Sequence, residues 1–311
     1  MSSSPEISII MPCWRCREFL ERSVGSVSAQ SFEDWELIAI DDGSGDDTLR
    51  QLQHLAQSEA RMRVLTQENL GVSATRNRGI REARGRWLFF LDADDHLTCD
   101  ALAHLISLTS PQRDIVCGAY RILFRDEGGR TEEHSCARGD RQAIYESLIR
   151  GDSALNSMCA RLYRRSMILE AGIRVPENIR VGEDVIFNLY AFRAARGWTM
   201  SDHILYLYER GGDSAMTRAR GRRYDSSLAM FDAIDEFLTS SNLRTPLFRA
   251  SMDLHLRTLR VDHGRLKAGF AWRREWIRRL TSGVQLRELT FKEKGYFLGL
   301  ILCPPLSVIY P

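Results

Sequence analysis

The sequence predicts an α/β protein in which a mostly parallel, twisted sheet is flanked by helices and followed by a C-terminal helical extension. Short runs rich in β-branched residues alternate with segments of helical periodicity, which is the pattern of repeated β-α-β units. Several of these runs end in polar, mostly acidic residues, and ligands of parallel α/β sheets bind beyond the carboxyl ends of strands. The composition agrees, because 44% hydrophobic and 27% charged residues are ordinary values for a globular protein.

The first β-α-β unit shows the pattern most clearly. Residues 7–11, Ile-Ser-Ile-Ile-Met, form a short β-rich run that a proline ends. Leu20, Val24 and Val27 then recur at helical spacing, so we predict a helix over 17–29 with one buried face. The later elements follow the same alternation, with strands predicted at 35–40, 63–65, 86–91 and 115–124, helices at 46–59, 72–83, 101–108, 140–150 and 184–195, and an edge strand at 199–208.

The C-terminal third differs from the rest of the chain in its charge. Residues 210–311 carry 18 Lys and Arg against 10 Asp and Glu, whereas residues 1–209 have a net charge of −6. We therefore predict one domain over 1–215 and a basic helical region over 216–311. A basic surface alone does not indicate whether the partner is a nucleic acid, a lipid or a protein. Because no nucleic-acid-binding motif accompanies the charge, we do not predict nucleic-acid binding. Helical segments are predicted there near 224–240, 245–266 and 271–280.

The end of this region is amphipathic and then apolar. Trp272 and Trp276 stand one helical turn apart among arginines, so the segment 264–310 either attracts anionic lipid heads or packs on the preceding domain. The longest apolar stretch, 296–310, is shorter than the roughly 20 residues of a spanning helix, and two prolines interrupt it.

The N-terminus lacks an export signal, and the seven cysteines have no regular spacing. We therefore expect a cytoplasmic protein, which would be peripheral at the inner face of the membrane if its C-terminal tail binds lipid.

Paired carboxylates follow two of the predicted strands. Asp92-Ala93-Asp94 comes after a strongly apolar run, and alternation along a strand would turn the two carboxylates to one side. Mg²⁺ and Mn²⁺ prefer such oxygens and leave other positions to substrate phosphates. Asp41-Asp42-Gly43-Ser44 ends another strand, where a carboxylate can accept from a base or a ribose. Each motif alone could be a solvated acidic turn, but together they predict a crevice for a nucleoside diphosphate.

Two other patterns are weaker. Cys13-Trp14-Arg15-Cys16 has the spacing of a redox C-x-x-C motif, but a thioredoxin-like domain would leave the later acidic strand ends unexplained. A zinc site would need a second pair of ligands, and none follows at the required spacing. The glycines do not form G-x-G-x-x-G after the first strand, which argues against a dinucleotide oxidoreductase.

The order of the motifs resembles glycosyltransferase family 2, a family of inverting nucleotide-sugar transferases with the GT-A fold. The residues that carry the resemblance are Pro12, Asp41-Asp42-Gly43-Ser44, Asn69 to Gly79, Asp92-Ala93-Asp94-Asp95 and Gly182-Glu183-Asp184. They cover roughly residues 5–215. The resemblance therefore implies that residues 1–215 form a GT-A nucleotide-sugar-binding catalytic domain.

The resemblance assigns a group of residues to the nucleotide. It implies that Pro12 and the Trp14 ring lie beside the nucleotide, and that Asp41 and Asp42 surround the uracil and the ribose. Arg76 would lie near the base or the phosphates.

The same resemblance assigns the metal and the chemistry. Asp92 would meet the ribose or the metal, and Asp94 would be the principal ligand of a Mn²⁺ or Mg²⁺ that bridges to the diphosphate. Asp184 matches the catalytic base, and Glu183 would help to position the acceptor or the base. This agrees with the chemistry of inverting transfer, which needs a carboxylate to take the acceptor proton and a positive charge to stabilise the departing diphosphate.

We therefore expect a metal-dependent inverting enzyme that moves a sugar from a UDP-sugar to a hydroxyl of a glycan or lipid-linked glycan, in surface polysaccharide or lipopolysaccharide assembly. Two alternatives stay open at this point. A nucleotidyltransferase of similar fold would release pyrophosphate instead of a nucleoside diphosphate. A non-catalytic nucleotide-binding protein would use the basic helices to dock a partner.

Three stretches depart from the family pattern. Trp14-Arg15 stands where Tyr-Asn is frequent, which keeps an aromatic ring and loses an amide. Ala160-Arg161-Leu162-Tyr163 replaces Asn-Lys-Leu-Tyr and keeps the positive charge. Asp213-Ser214 stands where Gly-Ser is frequent. The reaction class does not depend on these changes, whereas the identity of the donor sugar does.

Overall fold

A computed structural model of the chain describes residues 4–124, 128–151, 154–211, 223–243 and 247. The described strands are β1 (Ile7–Cys13), β2 (Trp35–Asp42), β3 (Met62–Gln67), β4 (Trp87–Phe90), β5 (His96–Leu97), β6 (Ile115–Phe124), β7 (Thr131–His134), β8 (Arg161–Arg164) and β9 (Trp198–Arg210). The described helices are α1 (Leu20–Ser28), α2 (Thr48–Ser58), α3 (Val72–Glu82), α4 (Ala101–Ser107), α5 (Arg141–Arg150), α6 (Arg165–Glu170), α7 (Glu183–Ala194) and α8 (Arg223–Ser240). The predicted α/β class is confirmed.

The sheet is parallel in its first half and mixed in its second. Strands β3, β2, β1 and β4 lie side by side and run parallel. Beyond β4 the order continues with β8, β6, β9 and β5, and β8 is antiparallel to both of its neighbours. The strand predicted at 199–208 is confirmed as part of β9, but it is not the edge strand, because β9 pairs with β6 on one side and, at Tyr206 and Leu207, with β5 on the other. Strand β5 is only two residues long, so the sequence gives almost no sign of it.

Alternation along the parallel strands divides the core into two layers. In β2, Ile38 and Ile40 contribute to the layer covered by α3, α5, α6, α7 and α8. Leu37 and Ala39 contribute to the layer covered by α1, α2 and α4. All four side chains are buried, as expected for a strand covered by helices on both faces. Each fully buried Leu or Ile contributes about 1.5–3 kcal/mol of transfer free energy, so both layers stabilise the sheet.

The first helix follows its predicted pattern with a later start. Leu20, Val24 and Val27 are buried against the sheet, as predicted. The helix begins at Leu20 instead of residue 17, because the three preceding residues form a turn in which the Phe19 N–H donates to the Cys16 carbonyl.

Helix α8 packs on α7. The Phe237 ring meets the edges of Tyr145 and Tyr190 at centroid distances of 5.1 and 5.4 Å. Met230, also on α8, lies against Gly182, the residue that precedes α7. A Cβ added to Gly182 would clash with the methionine sulfur. Gly182 also has a φ of +91°, so the backbone conformation and the close approach both require glycine.

The remaining predictions for the C-terminal region lie outside the described residues. These are the helices near 245–266 and 271–280 and the amphipathic segment over 264–310. The domain boundary near 215 stays a prediction. Within the described ranges, no helix has the length and apolar content needed to cross a membrane.

A buried ion cluster joins the second half of the sheet to the end of α7. The Asp114 carboxylate, only 1% exposed, accepts from Arg164 Nε at 2.6 Å and from the backbone N–H and Nη2 of Arg196 at 2.8 and 2.6 Å. Burial acts to raise the pKa of Asp114, but the hydrogen bonds from Arg196 and Arg164 outweigh it and lower the pKa to about 2. The cluster is therefore fully ionised at neutral pH.

Candidate active site

The candidate site lies at the carboxyl ends of the parallel strands. Pro12 is paired in register with Ile40, and Cys13 with Asp41, so the ends of β1 and β2 are adjacent. The chain that leaves β4 continues alongside, since the Leu91 N–H donates to the Ile10 carbonyl. The first motifs of the sequence therefore converge at one edge of the sheet, as the strand-end argument predicts.

The centre of the site is the guanidinium of Arg76, whose side chain is 5% exposed. Its Nη2 lies 3.0 Å from Asp92 Oδ1. Its Nη1 lies 3.0 Å from Asp184 Oδ1 and 3.3 Å from Glu183 Oε1. We call these four side chains the Arg76 cluster. It joins the D-x-D motif to the Glu-Asp pair, which stand far apart in the sequence.

The loop before α3 fixes where Arg76 lies. Asp42 is buried, and its Oδ1 accepts from the Leu70 N–H at 2.9 Å while its Oδ2 accepts from the Gly71 N–H at 2.8 Å. Gly71 has a φ of +93° and immediately precedes α3. On the helix itself, the Asn77 amide bonds both to the N–H and to the carbonyl of Val175, in the segment that leads to α7. Asp42 thus anchors this loop, and its contact with a nucleotide stays a prediction.

Burial sets the electrostatics of the Glu-Asp pair. Burial raises the pKa of Asp184, Arg76 opposes this and the charge of Asp92 adds to it, so the net direction is upward. Burial and then the neighbouring Asp184 raise the pKa of Glu183 to about 7, with Arg76 again opposing. Asp184 Oδ2 also accepts from the Met158 N–H at 3.1 Å. Of these two carboxyl groups at the start of α7, Glu183, with a pKa of about 7, can exchange a proton near neutral pH.

Arg76 stays charged despite its position. Burial lowers its pKa, but the charges of Asp184, Asp92 and Glu183 outweigh burial and hold the pKa well above the usual value. The cluster contains one cation and three carboxyl groups, so a further positive charge nearby would be electrostatically favourable.

The Asp92–Asp95 segment is a turn, which corrects one step of the sequence argument. Strand β4 ends at Phe90, and the Asp95 N–H donates to the Asp92 carbonyl at 3.1 Å. Strand alternation therefore does not relate Asp92 to Asp94. Both side chains are partly exposed, whereas Asp95 is buried and accepts from the Tyr206 hydroxyl at 2.6 Å.

The fit of a divalent cation can be judged from these donors. Within the described ranges, no group of three or more His, Cys, Asp or Glu side chains is arranged to hold a metal ion. A cation bound to a diphosphate needs fewer protein ligands, because phosphate oxygens and waters fill its other positions. The partly exposed carboxylates of Asp92 and Asp94 suit Mg²⁺ or Mn²⁺ in that role. The residues fit a cation that binds together with a diphosphate.

The predicted nucleotide side of the site lies at the ends of β1 and β2. Asp41 is buried and accepts from the Ser44 hydroxyl. Trp14 follows β1 and is 42% exposed, with the Arg15 guanidinium carbon 5.0 Å from its ring centre.

Several residues that hold the site were not predicted. Tyr206, on β9, accepts from the Asp92 N–H at 3.1 Å and donates to Asp95, so it fixes both ends of the turn. The Cys159 thiol lies 3.8 Å from Asp92 Oδ2. The Met158 backbone N–H donates to Asp184, and a backbone contact of this kind cannot be predicted from the type of residue. These partners come from elements distant in sequence, and only the strand pattern around Tyr206 gave a partial signal.

Two positions of the departing stretch Ala160-Arg161-Leu162-Tyr163 have a structural explanation. Arg161 is buried and donates to the carbonyls of Ala154, Leu155 and Cys159, so its positive charge serves the loop before β8. Ala160 has a φ of +58°, a conformation that asparagine tolerates better than alanine, which explains why an amide residue is common there. Asp213-Ser214 lies outside the described residues.

Comparison with known proteins identifies the family of the chain. A family model described as Glycosyl transferase family 2 matches residues 8–171, more than half of the chain. The uncharacterised glycosyltransferase EpsJ of Bacillus subtilis is 31% identical over 255 residues, which cover 73% of this chain and 70% of EpsJ. A Campylobacter jejuni protein, GalNAc(5)-diNAcBac-PP-undecaprenol beta-1,3-glucosyltransferase, is 32% identical over 133 residues, 42% of each chain.

A solved structure supports the same fold. The crystal structure of S. aureus TarS 1-349 in complex with UDP-GlcNAc superposes with a TM-score of 0.72 at 17% identity, over 91% of this chain and 82% of that one. Together with the family match and the identity to EpsJ, this allows a definite assignment. The chain belongs to glycosyltransferase family 2.

Proposed function

We propose that this protein is a metal-dependent, inverting glycosyltransferase that moves a sugar from a UDP-sugar to a hydroxyl group of a glycan or lipid-linked glycan. The observation that carries the proposal is the Arg76 cluster, in which one buried guanidinium joins Asp92 to Glu183 and Asp184. Asp184, which would take the acceptor proton, and Asp92, which would help to hold the metal ion of the donor, thus contact different nitrogens of the Arg76 guanidinium. Inverting transfer needs both of these functions.

Asp184 acts as the general base in this proposal. Its Oδ1 and Oδ2 are held by Arg76 and by the Met158 N–H, so the carboxylate has one orientation. It takes the proton of the acceptor hydroxyl as that oxygen attacks the anomeric carbon, while the bond between that carbon and the diphosphate breaks. A single displacement of this kind inverts the anomeric centre and needs no covalent enzyme intermediate. In this proposal Glu183 holds Arg76 in position and also helps to position the acceptor.

The donor is held on the other side of the cluster. Asp94 and Asp92 would hold Mn²⁺ or Mg²⁺, which when bound neutralises charge on the departing diphosphate. Pro12, Trp14, Asp41 and Asp42 are assigned to the nucleoside. The fold similarity to TarS, which was crystallised with UDP-GlcNAc, supports uridine diphosphate as the nucleotide.

One relative supports the proposed acceptor class. The Campylobacter jejuni enzyme is named for transfer to an undecaprenol-linked glycan, and this supports a glycan or lipid-linked glycan as the acceptor here. A role in surface polysaccharide assembly at the cytoplasmic side of the membrane is part of the same proposal. Attachment to anionic lipid through the C-terminal segment stays a prediction, since that segment lies outside the described residues.

A thermal-shift screen of nucleotide sugars with and without Mn²⁺ tests the donor and metal assignments. A ligand at 100 times its Kd stabilises the folded state by about 2.7 kcal/mol, which corresponds to a shift of several degrees. We expect a UDP-sugar to give this shift with Mn²⁺, and Asp94→Asn to abolish the Mn²⁺-dependent part. Asp34→Asn, a change remote from the site, is the matched control. If no nucleotide sugar shifts the wild-type transition, the proposed donor site does not exist.

The pH dependence of turnover tests the Glu-Asp pair. Because the pKa of Glu183 is raised to about 7, Glu183 becomes protonated as the pH falls below neutrality. Its charge then no longer draws Arg76 away from Asp184, and Asp184 becomes a weaker base. We expect the rate of UDP release to rise with pH through an inflection near 7 and then to level off.

Glu183→Gln should lack that inflection, because glutamine resembles the protonated residue at every pH. The mutant should also remain at the low rate that the wild type shows in acid. Initial rates measured on both sides of pH 7 provide the test. An unchanged inflection in Glu183→Gln would assign it to another group of the coupled cluster.

A further inference from the structure

Arg15 has an unusual backbone conformation directly after Trp14. Its φ is +49°, in the left-handed region, where a residue with a Cβ costs about 1–2 kcal/mol relative to the usual conformations. Such a conformation persists when contacts of the same residue offset the strain. The contacts of Arg15 therefore indicate what this conformation achieves.

Those contacts join the ends of β1 and β2. The Arg15 N–H donates to Ser44 Oγ at 3.0 Å, and Arg15 Nε donates to the Ser44 carbonyl at 3.2 Å. Ser44 is buried and its hydroxyl donates to Asp41. The same Arg15 guanidinium carbon lies 5.0 Å from the centre of the Trp14 ring, within cation–π distance. Arg15 thus connects the exposed indole to a rigid, buried serine.

We propose that Arg15 is a positioning residue that holds the Trp14 indole in place as a platform for the nucleobase of the donor. This rests on the proposed function, which puts the nucleoside at the ends of β1 and β2. Ordering an exposed side chain when a ligand binds weakens affinity, and the contact with Arg15 restricts the 42% exposed indole before the nucleotide binds. Arg15 acts through Trp14, with the guanidinium fixed to the Ser44 carbonyl and stacked on the ring.

A second role for an exposed arginine would be direct contact with the diphosphate. The two roles differ in what they require of Trp14. A positioning role disappears when the indole is removed, whereas a direct ionic contact with phosphate remains. A double-mutant cycle between positions 14 and 15 separates them.

Arg15→Gly is the informative change. Glycine adopts positive φ without a Cβ penalty and keeps the N–H that donates to Ser44, so only the stacking and the Nε hydrogen bond are lost. We expect UDP to bind about tenfold more weakly to Arg15→Gly by calorimetry, since holding one side chain is worth roughly that factor. The kinetic effect should fall on the KM for the donor and leave kcat at saturating donor unaltered. Arg17→Ala, an exposed arginine nearby, is the matched control and should bind UDP like the wild type.

The double mutant decides the mechanism. In a Trp14→Ala background, Arg15→Gly should cause no further loss of UDP affinity. If it weakens UDP by the same factor in both backgrounds, Arg15 contacts the nucleotide directly and the positioning role is overturned. If wild-type protein binds UDP and Arg15→Gly binds it equally well, the inference also fails while the proposed function stands. Failure of the wild type to bind UDP would instead overturn the donor assignment on which the inference rests.

Discussion

Asp184→Asn should lower kcat by about a thousandfold while leaving the affinity for UDP within about twofold of the wild type, because a general base contributes roughly 10²–10⁴ to the rate. Asparagine keeps the shape of the side chain and can still accept from the Met158 N–H. It cannot take a proton from the acceptor hydroxyl. Initial rates of UDP release and calorimetric binding of UDP, measured on the same preparation, give the two numbers.

The simplest competing explanation is that Asp184 only stabilises the start of α7. Acidic residues in the first turn of a helix interact favourably with the helix dipole, by about 0.3–1 kcal/mol. Asp140→Asn is the matched control, since Asp140 caps α5 by accepting from the Ala143 N–H. We expect it to leave turnover unaltered. Retained turnover in Asp184→Asn would show that another group is the base.

Asp114→Ala should destabilise the protein by about 3–5 kcal/mol, because removing the buried carboxylate leaves the Arg164 charge uncompensated. Arg164 is itself nearly buried and would lose the carboxylate that its Nε contacts at 2.6 Å. Urea denaturation followed by circular dichroism measures the loss. Asp47→Ala removes an exposed pair with Arg50 and serves as the control, with an expected change of about 0–1 kcal/mol.

The same cluster predicts a direction for acid sensitivity. The pKa of Asp114 is lowered to about 2 in the folded state, below its unfolded value, so its stabilising effect is complete above the unfolded pKa. That effect is lost as the pH falls from about 4 towards 2. In this range Asp114→Ala should show a smaller dependence of stability on pH than the wild type. An equal dependence in both proteins would mean that other carboxyl groups account for acid unfolding.

Local pattern was sufficient for the elements that build the parallel half of the sheet. Leu20, Val24 and Val27 identified a helix face, and the apolar runs identified β1, β2 and β4, because burial on both faces leaves a continuous hydrophobic signal. Strands β5, β7 and β8 and helix α6 were missed. The three strands are only two to four residues long, and pairing with other strands defines them more than their own composition does.

The sequence predicted part of the group of residues that the structure brings together in the candidate site, and it predicted their connections less well. The motif order placed Asp92, Asp94 and the Glu-Asp pair in one site, and the structure joins Asp92 to Glu183 and Asp184 through Arg76. The partner of each carboxylate depends on how loops from separate elements meet. Tyr206 is the clearest example, because nothing in its local sequence shows that its hydroxyl bonds to both ends of the Asp92–Asp95 turn.

The contact between Gly182 and Met230 affects how this fold can be recombined. The residue that precedes the Glu-Asp pair is covered by a side chain from α8, a helix that follows the 1–215 segment along the chain. A chimaera that took residues 1–215 from this chain and its remaining helices from a homologue would need a side chain of similar volume above Gly182. Without it, a void would open beside the start of α7, comparable to a buried methionine truncated to alanine, which costs about 2–5 kcal/mol. Because position 182 requires glycine, the homologue's residue at position 230 should have about the volume of methionine.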